Sequence, residues 1–289
     1  IGYAPASFSA FVDWGLEAGL DASLMEETGL VAPRKTGGYY SVFRERVMIP
    51  IRDRAGQTIG FTARYIGTED GVPKYINSRD SVVYKKGESV FGIDFAKRTA
   101  TREGKFYLVE GGPDVLKLQS IEVDNTVASL GTAWTDKQFA ALKKFAPAVC
   151  FIPDADPPRE GQTYGTGIEK VMKNGAAALA AGLSVSVIEI PLGEGCTKAD
   201  PDTWFNSRAK LHDAEEVDFI PWYAAKRLVM AGGTDGQSQV VKDVAGMVAA
   251  TGDEVREKMY IAQLGKLLQG RSLWAQAVAA AKKTRAEQE

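Results

Sequence analysis

Acidic residues follow three apolar runs of this 289-residue sequence. Glu110 comes directly after KFYLV, Asp154 and Asp156 follow AVCFI, and Asp200 and Asp202 follow SVSVIEI after a loop. Clustered carboxylates raise one another's pKa unless a positive charge lies among them. Mg²⁺ prefers carboxylate oxygen, keeps several waters and bridges to phosphate. If the runs are strands of one sheet, the pattern predicts a divalent cation site. The alternative, that the acids only cap loops, accounts for one position more easily than for three.

The segments around these acids predict the sheet that would bring them together. Short apolar runs suited to buried strands alternate with TDKQFAALKKF and TGIEKVMKNGAAALAAG, which have helical spacing. Thr135 is expected to cap the first helix, and Gly182 to end the second. Alternation of this kind predicts a parallel sheet, and ligands of such sheets gather beyond the carboxyl ends of the strands. Gly111 and Gly112 would allow a ligand to approach the backbone closely there.

The residues before this sheet predict a smaller mixed module. From Ser7 to Leu30 the spacing predicts a helix with one apolar face, formed by Phe8, Phe11, Val12, Leu16 and Leu20, and then a short second helix capped by Asp21 or Ser23. RVMIPIRDRAGQTIGFTARYI alternates, turns and alternates again, as a hairpin does, with Gly56 in the turn. PKYINS and VYKKGESVFG add short extended pieces, and GIDFAKRTA resembles a helix.

The C-terminal part, after Asp218, predicts helices. A break is expected at AGGTDGQSQ, and the amphipathic segments EVREKMYIAQLGKLL and SLWAQAVAAAKKTRAEQE follow it. The fold class is therefore α/β, with a small basic α+β subdomain, a parallel sheet with flanking helices and a helical C-terminal subdomain. The predicted boundaries are 1–104, 105–215 and 216–289.

Charge is distributed unevenly, although the net charge is only −2. Residues 34–98 contain 13 basic and 7 acidic side chains, whereas residues 106–219 contain 10 basic and 17 acidic ones. A basic segment joined to an acidic one is typical of a polyanion track beside a metal site. Two solvated faces that merely differ in charge would give the same counts.

Other site classes are excluded by composition. Cys150, Cys196 and His212 are the only cysteines and the only histidine, so the chain has neither a disulfide framework nor a Cys/His zinc site. No apolar run reaches the roughly 20 residues of a membrane helix, and the first residues lack a signal-peptide pattern. We expect a cytoplasmic protein without a membrane partner.

Several motifs resemble those of one protein family. The glutamate after the first strand and the Asp-x-Asp after the third resemble the TOPRIM fold of topoisomerases, primases and some nucleases. FRERVMIPIRDRAGQTIGFTAR, PKYINS, KKGESVFGIDFAK, VEG, ASLGTA and ADPDTWF are similar, in order and spacing, to the RNA polymerase catalytic core of bacterial replicative DNA primases. This resemblance covers residues 2–209.

The resemblance implies a metal-dependent enzyme that makes short RNA primers on single-stranded DNA from nucleoside triphosphates. Its partners would be the template, the triphosphates, the RNA–DNA primer duplex and a replicative helicase. By motif position, Mg²⁺ or Mn²⁺ would bind Glu110, Asp154, Asp156, Asp200 and Asp202, with catalysis resting on the first three and Asp114 as a supporting acid. The template and nucleotide groove would be lined by Arg46, Arg64, Lys74, Asn77 and Lys86.

The sequence departs from the family pattern at the predicted metal edge. Gly-Gly-Pro-Asp replaces Gly-Tyr-Met-Asp after the glutamate, PPREGQTYGTG is inserted after Asp156, and GEGCTKADPD is long. These residues also contain no zinc-binding module. Two alternatives therefore stay open: a TOPRIM nuclease that uses water as nucleophile, and a catalytically idle nucleic-acid-binding or helicase-adaptor module. A topoisomerase is disfavoured because no strand-cleaving domain fits in the remaining residues.

Overall fold

The N-terminal part of the computed structural model is a small mixed α/β unit. The structure describes residues 1–131, 133–193, 196–268 and 270–287. The elements of this part are β1 (Gly2–Ala4), α1 (Ala10–Glu17), α2 (Ala22–Glu27), β2 (Val31–Pro33), β3 (Tyr39–Ser41), β4 (Arg46–Arg52), β5 (Thr58–Tyr65) and β6 (Tyr75–Asn77).

In the described residues, β1, β4, β5 and β6 form an antiparallel sheet in the order β1-β4-β5-β6, and β2 pairs with β3. The predicted hairpin is confirmed as β4 and β5. Its turn begins at Asp53, whose carboxylate Oδ1 accepts hydrogen bonds from the backbone N–H of Ala55 and Gln57 at 2.8 and 2.9 Å. Gly56 has φ +88°, a conformation that favours glycine.

The predicted apolar face of the first helix is wrong. Helix α1 covers only residues 10–17, and Phe8 and Leu20 lie outside it. Of the predicted face, Val12 is buried, whereas Phe8 is 56% and Leu16 is 53% exposed. Helical spacing identified a stripe of apolar residues, but the helix is too short to bury all of them. Asp21 caps α2 as expected, since its Oδ1 accepts a hydrogen bond from Ser23 N–H at 2.7 Å.

The central part alternates helices and strands, as the sequence predicts. Its elements are α3 (Ile93–Glu103), β7 (Lys105–Val109), α4 (Gly112–Ser120), β8 (Thr126–Ala128), α5 (Asp136–Lys143), β9 (Ala148–Phe151), α6 (Thr166–Ala180), β10 (Ser184–Ile188), α7 (Pro201–Trp204), α8 (Arg208–His212) and β11 (Glu216–Asp218). Within the described chain the strand order is β11-β10-β9-β7-β8. The four strands β7 to β10 run parallel, and β11 adds an antiparallel edge that the sequence did not predict.

The parallel strands are rich in apolar residues because both faces of the sheet are largely covered. Along β9, Val149 and Phe151 pack into the core beneath α6 and the C-terminal helices. Cys150, which alternates with them, packs into the second core beside α4, together with Ile152. The side chains of one strand therefore pack into two hydrophobic cores. This packing fixes the positions of the strands and of their carboxyl ends.

The C-terminal part is helical, with α9 (Phe219–Met230), α10 (Gly233–Ala250), α11 (Glu254–Leu267) and α12 (Arg271–Ala286). The predicted break at AGGTDGQSQ is wrong in extent, because α10 already begins at Gly233 and includes most of that segment. Val240, Val244 and Val248 bury one face of α10, and this packing outweighs the low helix propensity of its glycine- and serine-rich start. Trp274 of α12 is fully buried.

The mixed α/β fold class is confirmed by these three parts, whereas the boundaries 1–104, 105–215 and 216–289 stay a prediction. No helix in the described residues is long and apolar enough to cross a membrane.

Gly175 gives a test of the packing between α6 and the C-terminal helices. A Cβ at this position would lie 2.2 Å from Cε2 of the buried Phe219. We expect Gly175→Ala to lower the free energy of unfolding by about 1–3 kcal/mol through overpacking, measured by urea denaturation. The control is Gly246→Ala in α10, where a Cβ meets no atom within 4 Å. It should raise stability by about 0.5–1 kcal/mol. Equal stabilisation by both variants would contradict the packing described here.

Candidate metal and nucleic-acid site

The predicted acids do lie at the carboxyl edge of the parallel sheet. Glu110 follows β7 directly, and Asp154 lies three residues beyond β9. A pair of backbone hydrogen bonds between Ala155 and Ala199, of 2.8 and 3.0 Å, joins the loop after β9 to the loop after β10. This bridge places the Asp-Ala-Asp segment beside the Ala-Asp-Pro-Asp segment. Acids more than 40 residues apart therefore share one edge, as the topology predicts.

Asp114 ties two of these segments together. It lies in the first turn of α4 and is buried. Its Oδ2 accepts a hydrogen bond from the backbone N–H of Gly111 at 3.0 Å, and its Oδ1 accepts one from that of Asp202 at 3.3 Å. Burial, followed by the charge of Asp202, raises the pKa of Asp114 to about 6. Asp114 thus links the Gly-Gly turn to Asp202, and its role as a supporting acid of a metal site stays a prediction.

Two lysines lie among the acids, and sequence analysis missed both. Lys198 Nζ is 3.0 Å from Asp154 Oδ2 and 2.7 Å from Asp200 Oδ1. Lys170, on α6, forms an ion pair with Glu110. In the sequence, Lys198 is recognisable only as a lysine two residues before Asp200. Long side chains at a strand edge can extend into solvent as easily as toward an acid.

Burial makes it unfavourable for all the acids of this cluster to be ionised at once. Burial first, and the charge of Glu110 second, raise the pKa of Asp154 to about 7, although Lys198 opposes the shift. Burial disfavours a charged ammonium too, but hydrogen bonds and charges from Asp200 and Asp154 raise the pKa of Lys198 above its usual range. The lysine therefore stays charged and supplies the positive charge that the acids require.

The inserted loop leaves the start of α6 in place. A Cβ at Gly165 would lie 2.0 Å from the backbone oxygen of Asp156, and one at Gly167 would lie 2.2 Å from that of Asp154. Glycine at both positions therefore lets the N-terminus of α6 lie against the Asp-x-Asp segment despite the insertion. The role of the Asp156 side chain as a metal ligand stays a prediction.

The donor set fits a hard divalent cation. Asp154 Oδ1 and Asp202 Oδ1 are buried and accept no hydrogen bond, so each retains an uncompensated lone pair. Carboxylate oxygens are the ligands that Mg²⁺ and Mn²⁺ prefer. Among the residues that the structure describes, however, no three acidic, cysteine or histidine side chains converge as a ready metal site. With Lys170 and Lys198 between them, the acids are neutralised by ammonium groups.

The basic residues predicted for the groove differ in burial and in the contacts that they make. Arg46 is only 4% exposed, and its Nη1 donates to the backbone oxygens of Ala63, Pro73 and Lys74 at 3.3, 3.0 and 3.5 Å. Its guanidinium also lies over the Tyr65 ring, 5.2 Å from the centroid. In this arrangement Arg46 supports β5 and the loop before β6, and its contact with nucleic acid stays a prediction.

Arg64 and Lys74 are exposed and are therefore available to an anion. Arg64 and Tyr75 line a cavity of about 590 Å³, which is also lined by Pro113 and Leu116 of α4. The cavity therefore lies between the N-terminal sheet and the helix that carries Asp114.

Asn77 and Lys86 belong to segments that are fixed to the parallel sheet. Asn77 Nδ2 donates to the backbone oxygen of Leu130 at 3.1 Å. Gln138, fully buried in the first turn of α5, donates through Nε2 to the backbone oxygens of Lys86 and Ser89 at 3.2 and 2.7 Å. Sequence analysis missed Gln138, although the Thr-x-x-Gln spacing of a capping box at Thr135 marks it.

Five residues of the quoted segments lie outside the described residues. They are Thr132 of ASLGTA, Glu194 and Gly195 of GEGCTKADPD, and Gln288 and Glu289 at the end of SLWAQAVAAAKKTRAEQE.

Both parts of the chain that contribute residues to this site match known protein families. Residues 1–97 match the family described as the N-terminal domain of the DNA primase catalytic core, and residues 107–203 match the Toprim-like family. A DNA primase of Aquifex aeolicus is 40% identical over 211 residues, which is 73% of this chain and 39% of that relative. The chain thus spans about two fifths of this curated relative. The relatives found are primases, so the nuclease and adaptor alternatives are not favoured.

Solved structures agree with the fold. A structure of the Aquifex aeolicus primase with its zinc-binding and RNA polymerase domains has 31% identity and a TM-score of 0.72, and covers 94% of this chain and 64% of that one. A structure of the RNA polymerase domain of Mycobacterium tuberculosis primase, in complex with double-stranded DNA that carries a 6-nucleotide overhang, has 24% identity and a TM-score of 0.72. It covers 93% of this chain and 84% of that one. At that identity the second likeness concerns the fold alone.

The contacts of Gln138 predict a measurable effect on the Lys86 segment. In Gln138→Leu the two backbone oxygens lose their donor, so we expect the free energy of unfolding to fall by about 1–3 kcal/mol. Amide hydrogen exchange should also become faster across residues 85–89. The control is Gln237→Leu, at an exposed position of α10. Unchanged exchange in residues 85–89 would show that Gln138 does not hold this segment.

Proposed function

We propose that this chain, which belongs to the DNA primase catalytic core family, joins ribonucleotides into short primers on a single-stranded DNA template. The chain spans only part of the length of the curated relatives that it matches, so the activity of those whole proteins enters here as part of the proposal.

The observation that carries the proposal is the meeting of two unlike surfaces. Carboxylates from three segments lie at one edge of the parallel sheet. Arg64 of the antiparallel sheet and Lys74, just before its last strand, are exposed cations, and Arg64 lines a cavity that Pro113 of α4 also lines. A polyanion held by the basic sheet would have its reacting phosphate beside the acids. The basic residues would attract the polyanion, and metal ions would offset the repulsion between its phosphates and the acids. The substrate would therefore bind in one direction.

The residues of the edge have distinct proposed roles. Glu110, Asp154 and Asp156 would hold Mg²⁺ or Mn²⁺ together with Asp200 and Asp202, and Asp114 would keep Asp202 in position through its backbone N–H. Bound divalent ions supply neutralisation of the triphosphate and activation of the primer 3′-hydroxyl. Glu110, directly after β7, stands on a rigid strand end, which fixes its carboxylate relative to the incoming phosphate.

The basic residues would bind the template and the nucleotide. Arg64 and Lys74 lie on the face where a single strand would run, and Lys86 would contact the triphosphate from the segment that Gln138 holds. The Mycobacterium tuberculosis structure, which is similar in fold, is a complex with double-stranded DNA that carries an overhang, and we propose that this chain binds a DNA template too. The RNA–DNA primer duplex and a replicative helicase are proposed as the further partners.

Primer extension tests the proposed reaction. With MgCl₂, the four ribonucleoside triphosphates and a template carrying an annealed RNA primer, we expect the chain to lengthen the primer and release pyrophosphate. Asp154→Asn should abolish extension, because it removes charge from the metal edge. The control is Asp124→Asn, at an exposed position away from this edge, and it should extend as wild type does.

The same experiment separates the proposed primase from a nuclease. A nuclease needs no triphosphate pocket, whereas a primase does. Calorimetry should show magnesium-dependent triphosphate binding that Lys86→Ala weakens. Metal-dependent degradation of the template, with no triphosphate binding and no extension, would refute the proposal and identify a nuclease.

The basic sheet predicts a specific salt dependence. Arg64→Ala and Lys74→Ala should weaken binding to single-stranded DNA and reduce the slope of log K against log salt by about 0.7 for each phosphate that is no longer neutralised. Fluorescence anisotropy at several salt concentrations measures both quantities. The control is Lys258→Ala, an exposed lysine of α11. A double variant with wild-type affinity and slope would show that the template does not run over this sheet.

A further inference from the structure

Lys198 occupies the place between two carboxylates that a cation would take. Its Nζ lies 3.0 Å from Asp154 Oδ2 and 2.7 Å from Asp200 Oδ1, which belong to different loops of the sheet edge. Both distances are short enough for charge-assisted contacts, so one ammonium bridges the loop after β9 and the loop after β10.

Lys170 makes the equivalent contact with the third segment. It projects from α6 to Glu110, and half of its side chain remains exposed. The side chain of Lys198 is likewise 49% exposed, whereas that of Asp154 is only 13% exposed. Each ammonium can thus withdraw into solvent, whereas the Asp154 carboxylate has much less access to it.

Removing the lysines would leave the acids unbalanced. Asp154 and Asp202 each have a buried oxygen without a hydrogen-bond donor, so the edge already carries more negative charge than its hydrogen bonds compensate. An uncompensated buried carboxylate is costly, and a paired ammonium is the simplest compensation that the chain itself can supply.

We infer that Lys198 and Lys170 are built-in counter-ions that hold the acidic edge together without metal and lower its affinity for divalent cations. This inference rests on the proposed metal site. A bound divalent cation must displace each ammonium or share the carboxylates with it. The first case requires breaking an ion pair and the second places two cations close together, so both weaken metal binding. The lysines would therefore make metal loading reversible and favour loading by a metal that arrives with a triphosphate, whose negative charge attracts the released ammonium groups.

Metal binding without substrate tests the inference directly. Titration of the whole chain with MnCl₂ alone, followed by calorimetry and by the electron paramagnetic resonance signal of free Mn²⁺, gives the Kd. Lys198→Met should bind Mn²⁺ on the order of tenfold more tightly than wild type, since a unit charge about 3–4 Å from the ligands is removed. Lys170→Met should change the Kd in the same direction.

Two variants serve as controls. Lys198→Arg keeps the positive charge and should stay close to the wild-type Kd. Lys173→Met changes an exposed lysine of the same helix as Lys170, and it should bind as wild type does. Thermal unfolding of each variant, with and without Mn²⁺, checks that it folds. Lys198→Met should gain more stability from Mn²⁺ than wild type gains.

The outcomes distinguish this inference from the metal site on which it depends. If wild type binds Mn²⁺, Asp154→Asn does not, and Lys198→Met has the wild-type Kd or a weaker one, the counter-ion inference is wrong and the metal site stands. If no variant binds Mn²⁺, both are wrong. Tighter binding by Lys198→Met but not by Lys198→Arg supports the inference.

Discussion

The structure depends on balancing negative charge at one edge of a parallel sheet. The sheet topology brings carboxylates from the segments after β7, β9 and β10 together, and burial raises the pKa of Asp114 to about 6 and that of Asp154 to about 7. In both cases burial is the larger cause and a neighbouring carboxylate the second, so full ionisation of this edge is unfavourable without compensating positive charge. Lys198, Lys170 and backbone N–H groups supply part of the balance, and a divalent cation is the natural source of the rest.

The N-terminal part carries the predicted basic residues. A few hydrogen bonds fix its position relative to the central part. Asn77 reaches the backbone of Leu130 beyond β8, and Gln138 holds the segment of Lys86 from the first turn of α5. Phe91 pairs with Ala128 through an isolated β-bridge. These links join the N-terminal part, which carries the basic residues, to β8 and α5 of the central part.

Much of this could be predicted from sequence because it follows from strand order. Glu110 comes directly after a buried apolar run and Asp154 two residues after another, and a parallel sheet brings such positions to one edge. Side-chain contacts are another matter. Arg46 resembles any surface arginine in sequence, and its burial follows from three carbonyl groups on β5 and the following loop that no local pattern reveals. Lys198 was missed for the same reason, and the exposed Phe8 shows that helical spacing alone does not bury a residue.

The most direct test of the account is to locate the metal. Crystals of the protein soaked in MnCl₂ and measured at the manganese absorption edge would show any bound ion by its anomalous scattering. The account predicts a peak within coordination distance of Asp154 and Asp202, with the Lys198 ammonium moved away from Asp154. Crystals without such a peak, in which Lys198 still bridges Asp154 and Asp200 at high Mn²⁺ concentration, would contradict it, because the acidic edge would then be a salt-bridge cluster and not a metal site.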